Sequence, residues 1–202
     1  MATNGLRYKK KAQVKQALYD AAMKLFQQKG FNETSVDEIS EMAGYSRATF
    51  FNHFGAKQGV LRLYGQRLQS LVEALLDRND PSTSPLELIQ QMITVMVREA
   101  EENIEEVRLI CTYSMFDPSY MSNPTPARKR LFEILTGLVS EAQQQEQIRS
   151  DLTAKELALH IFFLYQGVTL AIVSGLGNSE SLLHSAWKFI LTGVNNENLP
   201  TQ

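Results

Sequence analysis

Apolar residues recur at helical spacing in the first sixty positions and predict three helices. The first extends from about residue 9 to residue 28 and stops at Gly30. The second begins with Ser35 and Glu38 at the capping-box spacing and ends at Gly44, because glycine readily takes the left-handed conformation that closes a helix. Its buried stripe consists of Val36, Ile39 and Ala43.

A third short helix follows at once and carries polar groups on its outer face. Ser46 is placed to cap this helix, and Phe50 and Phe54, four positions apart, face inward. Two short helices broken at a glycine are typical of a helix-turn-helix, whose second helix enters the major groove of DNA. The side chains on the outer face of that second helix are Arg47, Ala48, Thr49, Phe51, Asn52 and His53.

The rest of the chain predicts six longer helices and no strand, which makes the fold class all-α with about nine helices. We divide the chain into a head and a body. The head, residues 1–56, is a three-helix helix-turn-helix domain with a basic N-terminal arm. The body, residues 57–202, is a larger helical bundle that opens with a long helix over about 57–78. Because so small a head cannot bury enough surface alone, we expect it to lean on the body.

Three local features of the body bear on its packing. Gly65 lies inside the long helix and indicates a bend or the close approach of another helix. A helix over about 103–116 is interrupted near Cys111, and the helix that follows ends near Gln147.

The penultimate helix, at about 153–174, carries more apolar surface than one bundle can bury. It is apolar on nearly every side, so we expect its second face to meet a partner. A central helix in a monomeric bundle is the alternative. Four polar residues in the run favour burial in protein over a membrane span: His160, Gln166, Thr169 and Ser174.

Charge is unevenly distributed along the chain. The net charge is −2, yet residues 1–60 hold nine Lys and Arg against five Asp and Glu. The basic surplus is densest between Arg7 and Lys15, where it is placed either to contact phosphates or to solubilise the terminus. The single cysteine, Cys111, lies in an apolar run and indicates a reducing compartment; with no signal peptide in the sequence, we expect a cytoplasmic protein.

The run from Ala17 to Leu61 resembles the N-terminal domain of the TetR/AcrR family of bacterial one-component transcription regulators. This resemblance implies a sequence-specific DNA-binding regulator, with repression favoured, that binds a palindromic operator as a homodimer and responds to a small apolar effector. It also implies that the homodimer forms through the last two helices, at about 153–174 and 179–195, which the apolar pattern of the first of them fits. It covers about forty-five residues and says little about the body. The positions that carry it are Ala22, Leu25, Phe26, Gly30, Phe31, Thr34, Ser35, Val36, Ile39, Ala43, Gly44, Ser46, Thr49, Phe50, Phe51, Phe54, Lys57 and Leu61.

The same resemblance implies which residues of the head contact DNA. Arg47 and Ala48 fall where the family reads base edges, and an arginine can hold guanine through two hydrogen bonds. Asn52 is placed for an adenine or a phosphate. The family usually has a tyrosine where this chain has Phe51, so the role of Phe51 stays open. The other implied contacts are Thr34, Ser35, Ser46, Thr49, His53 and Lys57, each with a solvated or structural role as the alternative.

Methionine and aromatic residues on the middle helices of the body suit an adaptable apolar pocket for a small effector. Such a stripe is also typical of an ordinary core, and the sequence does not separate the two. The candidate lining consists of Met92, Met96, Tyr113, Phe116, Phe132 and Phe163, with His160 and Gln166 as polar groups.

No motif in the sequence supports an enzyme. Paired Glu-x-x-His motifs, metal-spaced Cys and His clusters, glycine-rich phosphate loops and nucleophile motifs are all missing from the sequence, so we predict no catalytic site, no metal and no cofactor. The remaining alternative is a helical interaction or adaptor protein that keeps the head fold but has lost DNA binding.

Overall fold

The computed structural model describes residues 2–115 and 124–194, which form nine α-helices, one π-helical turn and no strand. This confirms the all-α class and the predicted number of helices for the part of the chain that it covers. The π-helical turn, Cys111–Met115, directly follows α6. The helices are α1 (Ala2–Lys29), α2 (Val36–Ala43), α3 (Arg47–Phe54), α4 (Gln58–Asp77), α5 (Pro85–Glu102), α6 (Ile104–Ile110), α7 (Pro126–Gln144), α8 (Ala154–Val173) and α9 (Ser179–Val194).

The helices pack around two hydrophobic cores that meet along α4. The start of α4 gives Val60 and Leu61 to the head core, and its middle gives Leu68 and Val72 to the body core. Because α4 belongs to both cores, it couples head and body mechanically, and the division at residue 56 stays a proposal. The head core also contains Leu18, Ala22, Phe26, Phe31, Ile39, Phe50 and Phe54.

Side chains of the body cover the head core from outside. Leu63 of α4, Leu109 and Ile110 of α6, and Tyr113 of the π-helical turn pack against it as half-buried groups. The expected support of the small head by the body is therefore present.

Two helix boundaries differ from those predicted from the sequence. α1 begins at Ala2 rather than near residue 9, so the basic arm is the first part of the helix. α7 ends at Gln144 rather than Gln147, because the chain turns at Glu146, whose φ of +56° is left-handed.

Two predicted irregularities inside body helices have a clear structural basis. A Cβ placed on Gly65 would lie 3.9 Å from the Cβ of Ala127, which shows the expected close approach of another helix, here α7 against α4. The predicted interruption near Cys111 is the π-helical turn.

One face of α8 remains exposed, although α8 packs against α7 on its other side. Leu159 is 38% exposed and Phe163 is 48% exposed, and Leu170 lies on the same face at 39%. In the part of the chain that the structure describes, α8 is also the one helix long and apolar enough to cross a membrane, with 44% of its apolar window buried. Since α7 and α9 pack on it within a bundle, its apolarity is that of a core helix with one additional open face.

Candidate nucleic-acid interface

The turn between α2 and α3 is built from the capping groups that the sequence predicts. Ser35 accepts a hydrogen bond from the backbone N–H of Glu38, whose carboxylate accepts one from the N–H of Ser35, so the capping box is complete. Gly44 ends α2 at a φ of +73°. Ser46 then caps α3 by accepting a hydrogen bond from the N–H of Thr49. These local bonds fix where both helices begin and thus the angle between them.

The inner face of α3 locks it onto the head core. Phe50 is fully buried and Phe54 nearly so, and their ring centroids lie 5.3 Å apart. With its inner face anchored in this way, α3 presents the opposite face to solvent at a fixed rotation. Arg47, Ala48, Phe51 and Asn52 are exposed there, as predicted.

Arg47 is held by two neighbours on this outer face. Its Nη1 donates to both carboxylate oxygens of Asp37, at 3.1 and 2.8 Å. Its guanidinium carbon also lies 5.5 Å from the ring centroid of Phe51. Phe51 thus supports Arg47 in this structure, which is the role that the sequence left open. Asp37 was not predicted to take part at all.

Lys57 has a structural role in place of an open ammonium group. Its Nζ donates to the carbonyl oxygens of Phe31 at 2.6 Å, Thr34 at 2.8 Å and Asn32 at 3.2 Å. It also lies 4.5 Å from the ring centroid of Phe31. All three protons of the ammonium are therefore used to tie the loop before α2 to the start of α4. A phosphate contact by Lys57 would have to compete with these bonds.

Thr34 departs most from its predicted place. Its side chain is only 2% exposed, and its hydroxyl donates to the carbonyl oxygen of Gly30 at 2.8 Å. The side chain therefore closes the loop after α1 and faces away from the surface that DNA would meet.

The other hydroxyl residues lie at the surface but serve as caps. Ser35 shares its hydroxyl with Glu38, and Lys29 donates to the same carboxylate. The hydrogen bonds from Lys29 and Ser35 lower the pKa of Glu38 to about 2. The hydroxyls of Ser46 and Thr49 lie 2.9 Å apart at the N-terminus of α3, where a helix favours an anion.

His53, at the end of α3, lies beside the basic face of α1. Burial lowers the pKa of the His53 imidazole, and the ammonium groups of Lys11 and Lys15 lower it further. Lys15 in turn donates to the side-chain oxygen of Gln66 on α4 at 3.1 Å. The ammonium groups of α1 thus lie beside the imidazole of His53 on α3, and this region of the head is a suitable place for phosphates.

Sequence reasoning missed several exposed groups around this face. Met42, in the last turn of α2, is 46% exposed, and Tyr45, in the turn that joins α2 to α3, is 37% exposed. For Tyr45, its position immediately before the capping Ser46 was a usable signal. Nothing in the one-dimensional pattern shows that Asp37, ten residues before Arg47, faces it across the turn.

The candidate effector residues of the body are divided between the body core, the head core and the surface. Met92 and Met96 are 1% and 2% exposed inside the body core, which Phe132 contacts from its edge. Tyr113 packs on the head instead. Tyr113 therefore lies apart from the two methionines, because periodicity shows that a residue is buried but not which helix it packs against. The lining of an effector pocket stays a prediction. Of the others, His160 and Phe163 are exposed on α8, Gln166 is half-buried, and Phe116 lies outside the described residues.

Comparison with known proteins identifies the head. The pattern described as bacterial regulatory proteins, tetR family, matches residues 18–63, which run from α1 through the helix-turn-helix into α4. The head of this chain therefore matches the DNA-binding domain of the TetR family. This confirms the resemblance stated from the sequence.

A named relative extends this similarity beyond the head. The HTH-type transcriptional regulator RutR of Escherichia coli K12 is 24% identical over 139 residues, which cover 68% of this chain. The chain spans 66% of the length of that relative. Similarity to such regulators confirms the prediction that this protein is not an enzyme.

Two solved structures share the fold along most of their length. The first is that of Thermus thermophilus FadR, a TetR family transcriptional repressor, in complex with lauroyl-CoA. It has a TM-score of 0.67 and 23% identity over 93% of this chain and 98% of that one. The second, Bacillus subtilis FadR in complex with stearoyl-CoA, has a TM-score of 0.73 and 16% identity over 89% of this chain and 99% of that one. At these identities the structures confirm the architecture of a helix-turn-helix head on a helical bundle.

Proposed function

We propose that this TetR-family protein is a cytoplasmic transcription regulator, acting as a repressor, that binds a palindromic operator as a homodimer and is modulated by a small apolar effector. The observation that carries the proposal is the outer face of α3. Capping bonds and buried phenylalanines hold this face rigidly, and it presents Arg47, Ala48 and Asn52 to solvent beside the basic groups of α1. A rigid helix with such a face fits the major groove.

The proposed DNA contacts follow the placement of the side chains. Arg47, Ala48 and Asn52 meet base edges, with Phe51 behind Arg47. Ser35, Ser46, Thr49 and His53 lie where phosphates pass, and Lys11 and Lys15 extend that region along α1. Thr34 and Lys57 are assigned to holding the head together.

The test of DNA binding is affinity for the upstream region of the chain's own gene, measured at several salt concentrations. We expect a steep fall in affinity with salt and at least a tenfold loss on Arg47→Ala. Arg78→Ala, at an exposed arginine that ends α4 in the body, is the matched control and should change little. A chain with no duplex preference at low salt would be the adaptor protein instead.

The proposed dimer uses the exposed face of α8 together with α9, where Phe189 is 68% exposed. Phe163→Glu would place a charge in that contact, so we expect a monomer in size-exclusion chromatography with light scattering, against a dimer for the unchanged chain. Phe51→Glu changes an aromatic residue of similar exposure on the head and should leave the dimer intact. A monomeric unchanged chain would contradict the proposal.

The proposed effector has a long apolar chain. Two proteins of this fold hold acyl-CoA molecules, and the body of this chain buries soft side chains, Met92 and Met96, that can rearrange around such a ligand. Lauroyl-CoA and stearoyl-CoA are the first probes. Either should weaken operator binding, typically by about 5- to 150-fold for coupled sites, whereas free coenzyme A should not. Binding without any change in operator affinity would refute the effector role.

A further inference from the structure

The exposed side chains of Arg47, Ala48, Phe51 and Asn52 on α3, together with Asp37 of α2, are here called the reading surface. Asp37 is an acidic group at a place where basic groups are expected. Asp37 lies in the first turn of α2 and pairs with Arg47 at the first position of α3. The side chains are 64% and 61% exposed, so both stand on the face that would meet DNA. An exposed ion pair adds little to the stability of a fold. The main effect of this ion pair is therefore on the position of the Arg47 side chain.

Two rigid elements define that position. Asp37 is fixed by the capped start of α2, and it binds only the Nη1 end of the guanidinium. Phe51 lies one turn after Arg47, and its ring meets the fully buried Phe50 edge-on at 89°, with 5.8 Å between centroids. The guanidinium is therefore bounded by a carboxylate on one side and an anchored ring on another.

The remaining donors of this guanidinium stay available. Nη2 and Nε of Arg47 make no hydrogen bond to any residue in the described part of the chain. A guanidinium presents its donors as a flat fork that matches the two acceptors of guanine in the major groove. Because one end of the guanidinium is already held in place, the Arg47 side chain loses less conformational entropy when it binds a base.

The carboxylate of Asp37 also acts on DNA directly. A negative charge at this surface repels every phosphate that passes close to it, whatever the sequence of the duplex. Such a group weakens binding to all DNA. The loss of affinity is offset only in a duplex that has the base pair contacted by Arg47. Specificity commonly depends on such repulsive elements as well as on attractive ones.

We propose that Asp37 is the positioning residue of the reading surface: with Phe51 it orients Arg47 toward a base edge, and its charge disfavours duplexes that lack the matching base pair. The inference rests on the proposed DNA-binding function and adds to it a determinant of specificity.

The test compares two neutralised carboxylates of α2. The operator is first selected from random duplexes, and the base pair read by Arg47 is identified as the one at which Arg47→Ala no longer discriminates. Affinities for the operator and for the duplex substituted at that pair then give a discrimination ratio. Asp37→Asn should lower this ratio about 5- to 10-fold, within the range of one bidentate contact, while affinity for unrelated duplexes rises a few-fold.

Glu41→Gln is the matched control, because Glu41 is exposed on the same helix one turn after Asp37. It should raise affinity for unrelated duplexes without changing the discrimination ratio. Phe51→Leu, which removes the ring but no charge, should lower the ratio without raising that affinity. Circular dichroism confirms that each variant is folded.

The outcomes separate the two levels of the proposal. A ratio for Asp37→Asn within twofold of the unchanged chain, or a change equal to that of Glu41→Gln, overturns the role of Asp37 and leaves DNA binding standing. Failure of the unchanged chain to prefer any duplex refutes both.

Discussion

The rings of Tyr113 and Phe31 lie 5.1 Å apart, centroid to centroid, and join the body to the head. Tyr113 belongs to the π-helical turn, whose first residue, Cys111, is buried in the body core, where burial raises the pKa of its thiol. One turn of chain thus places one side chain in each core. A rearrangement of α6 would move the loop before α2 through this contact, and π-helical turns often mark such places.

Tyr113→Ala should destabilise the protein by about 2 kcal/mol, less than the ~3–5 kcal/mol of a fully buried aromatic residue, because Tyr113 is half-buried. Tyr113→Phe keeps the ring and should stay within about 0.5 kcal/mol of the unchanged protein. Urea unfolding measures both. Equal losses for the two variants would show that the hydroxyl, and not the ring contact, stabilises the junction.

Gly59, in the first turn of α4, cannot carry a side chain. A Cβ built there would lie 1.9 Å from the carbonyl oxygen of Phe54, so Gly59→Ala must push α3 away from α4. We expect a loss of at least ~2 kcal/mol by thermal unfolding and weaker DNA binding. Gly137→Ala is the control: it lies inside α7 with nothing within 4 Å of the added Cβ, and it should stabilise by up to about 1 kcal/mol. Effects of the same sign would contradict this interpretation.

The head was largely predictable because its signals are local. Capping at Ser35 and Ser46 and the glycine stop at Gly44 depend on residues within four positions of one another, and each is present as predicted. The pairing of Arg47 with Asp37 was not predictable, because it depends on the angle between two helices. The position of Tyr113 on the head core was not predictable either. A π-helical turn changes the direction of the side chains after Cys111, so a pattern based on 3.6 residues per turn assigns them to the wrong side of the helix.

Arg67 of α4 is the centre of a partly buried ion cluster at the junction of head and body. It donates to Glu99 of α5 and Glu106 of α6, whose side chains are 14% and 8% exposed. Tyr19 of α1 lies beside it: burial raises the pKa of this phenol, and the Glu106 carboxylate adds to the rise. Arg67→Met leaves the buried carboxylate of Glu106 and the half-buried carboxylate of Glu99 without a counter-ion, so we expect a loss of about 3 kcal/mol in urea unfolding.

Two further variants show whether charge is the cause. Adding Glu106→Gln to Arg67→Met should recover at least ~1 kcal/mol, because one of the uncompensated charges is removed. Arg130→Met breaks the exposed pair with Glu73, where the distance is 3.3 Å, and should cost under about 1 kcal/mol. A double variant no more stable than Arg67→Met would attribute the loss to packing.

DNA binding should strengthen as the pH falls, through His53. In the free protein, burial and the neighbouring lysines hold the pKa of His53 below its ordinary value. A bound phosphate favours the imidazolium and raises that pKa, so binding takes up a proton. Affinity should therefore rise by up to tenfold per pH unit as the pH drops from the bound-state toward the free-state pKa. Fluorescence anisotropy at constant ionic strength, from about pH 8 to about pH 5.5, measures it.

His53→Gln should remove this part of the pH dependence and leave affinity at pH 8 within a few-fold of the unchanged protein. His184→Gln, at an exposed histidine on α9, is the control and should keep the full dependence. If all three proteins respond to pH alike, His53 lies away from the phosphates.

Because α1 continues to Ala2, the exposed lysines that could attract DNA lie on a different helix from the residues proposed to contact its bases. On α3 and its surroundings the cationic groups already have partners: Asp37 for Arg47, and backbone carbonyls for Lys57. The exposed ammonium groups stand instead along the early turns of α1, at Lys9, Lys10 and Lys11. In the proposed DNA-binding function, the exposed lysines of α1 would govern how fast a duplex associates, and α3 would govern how long it stays bound. Capture rate and residence time can then evolve independently.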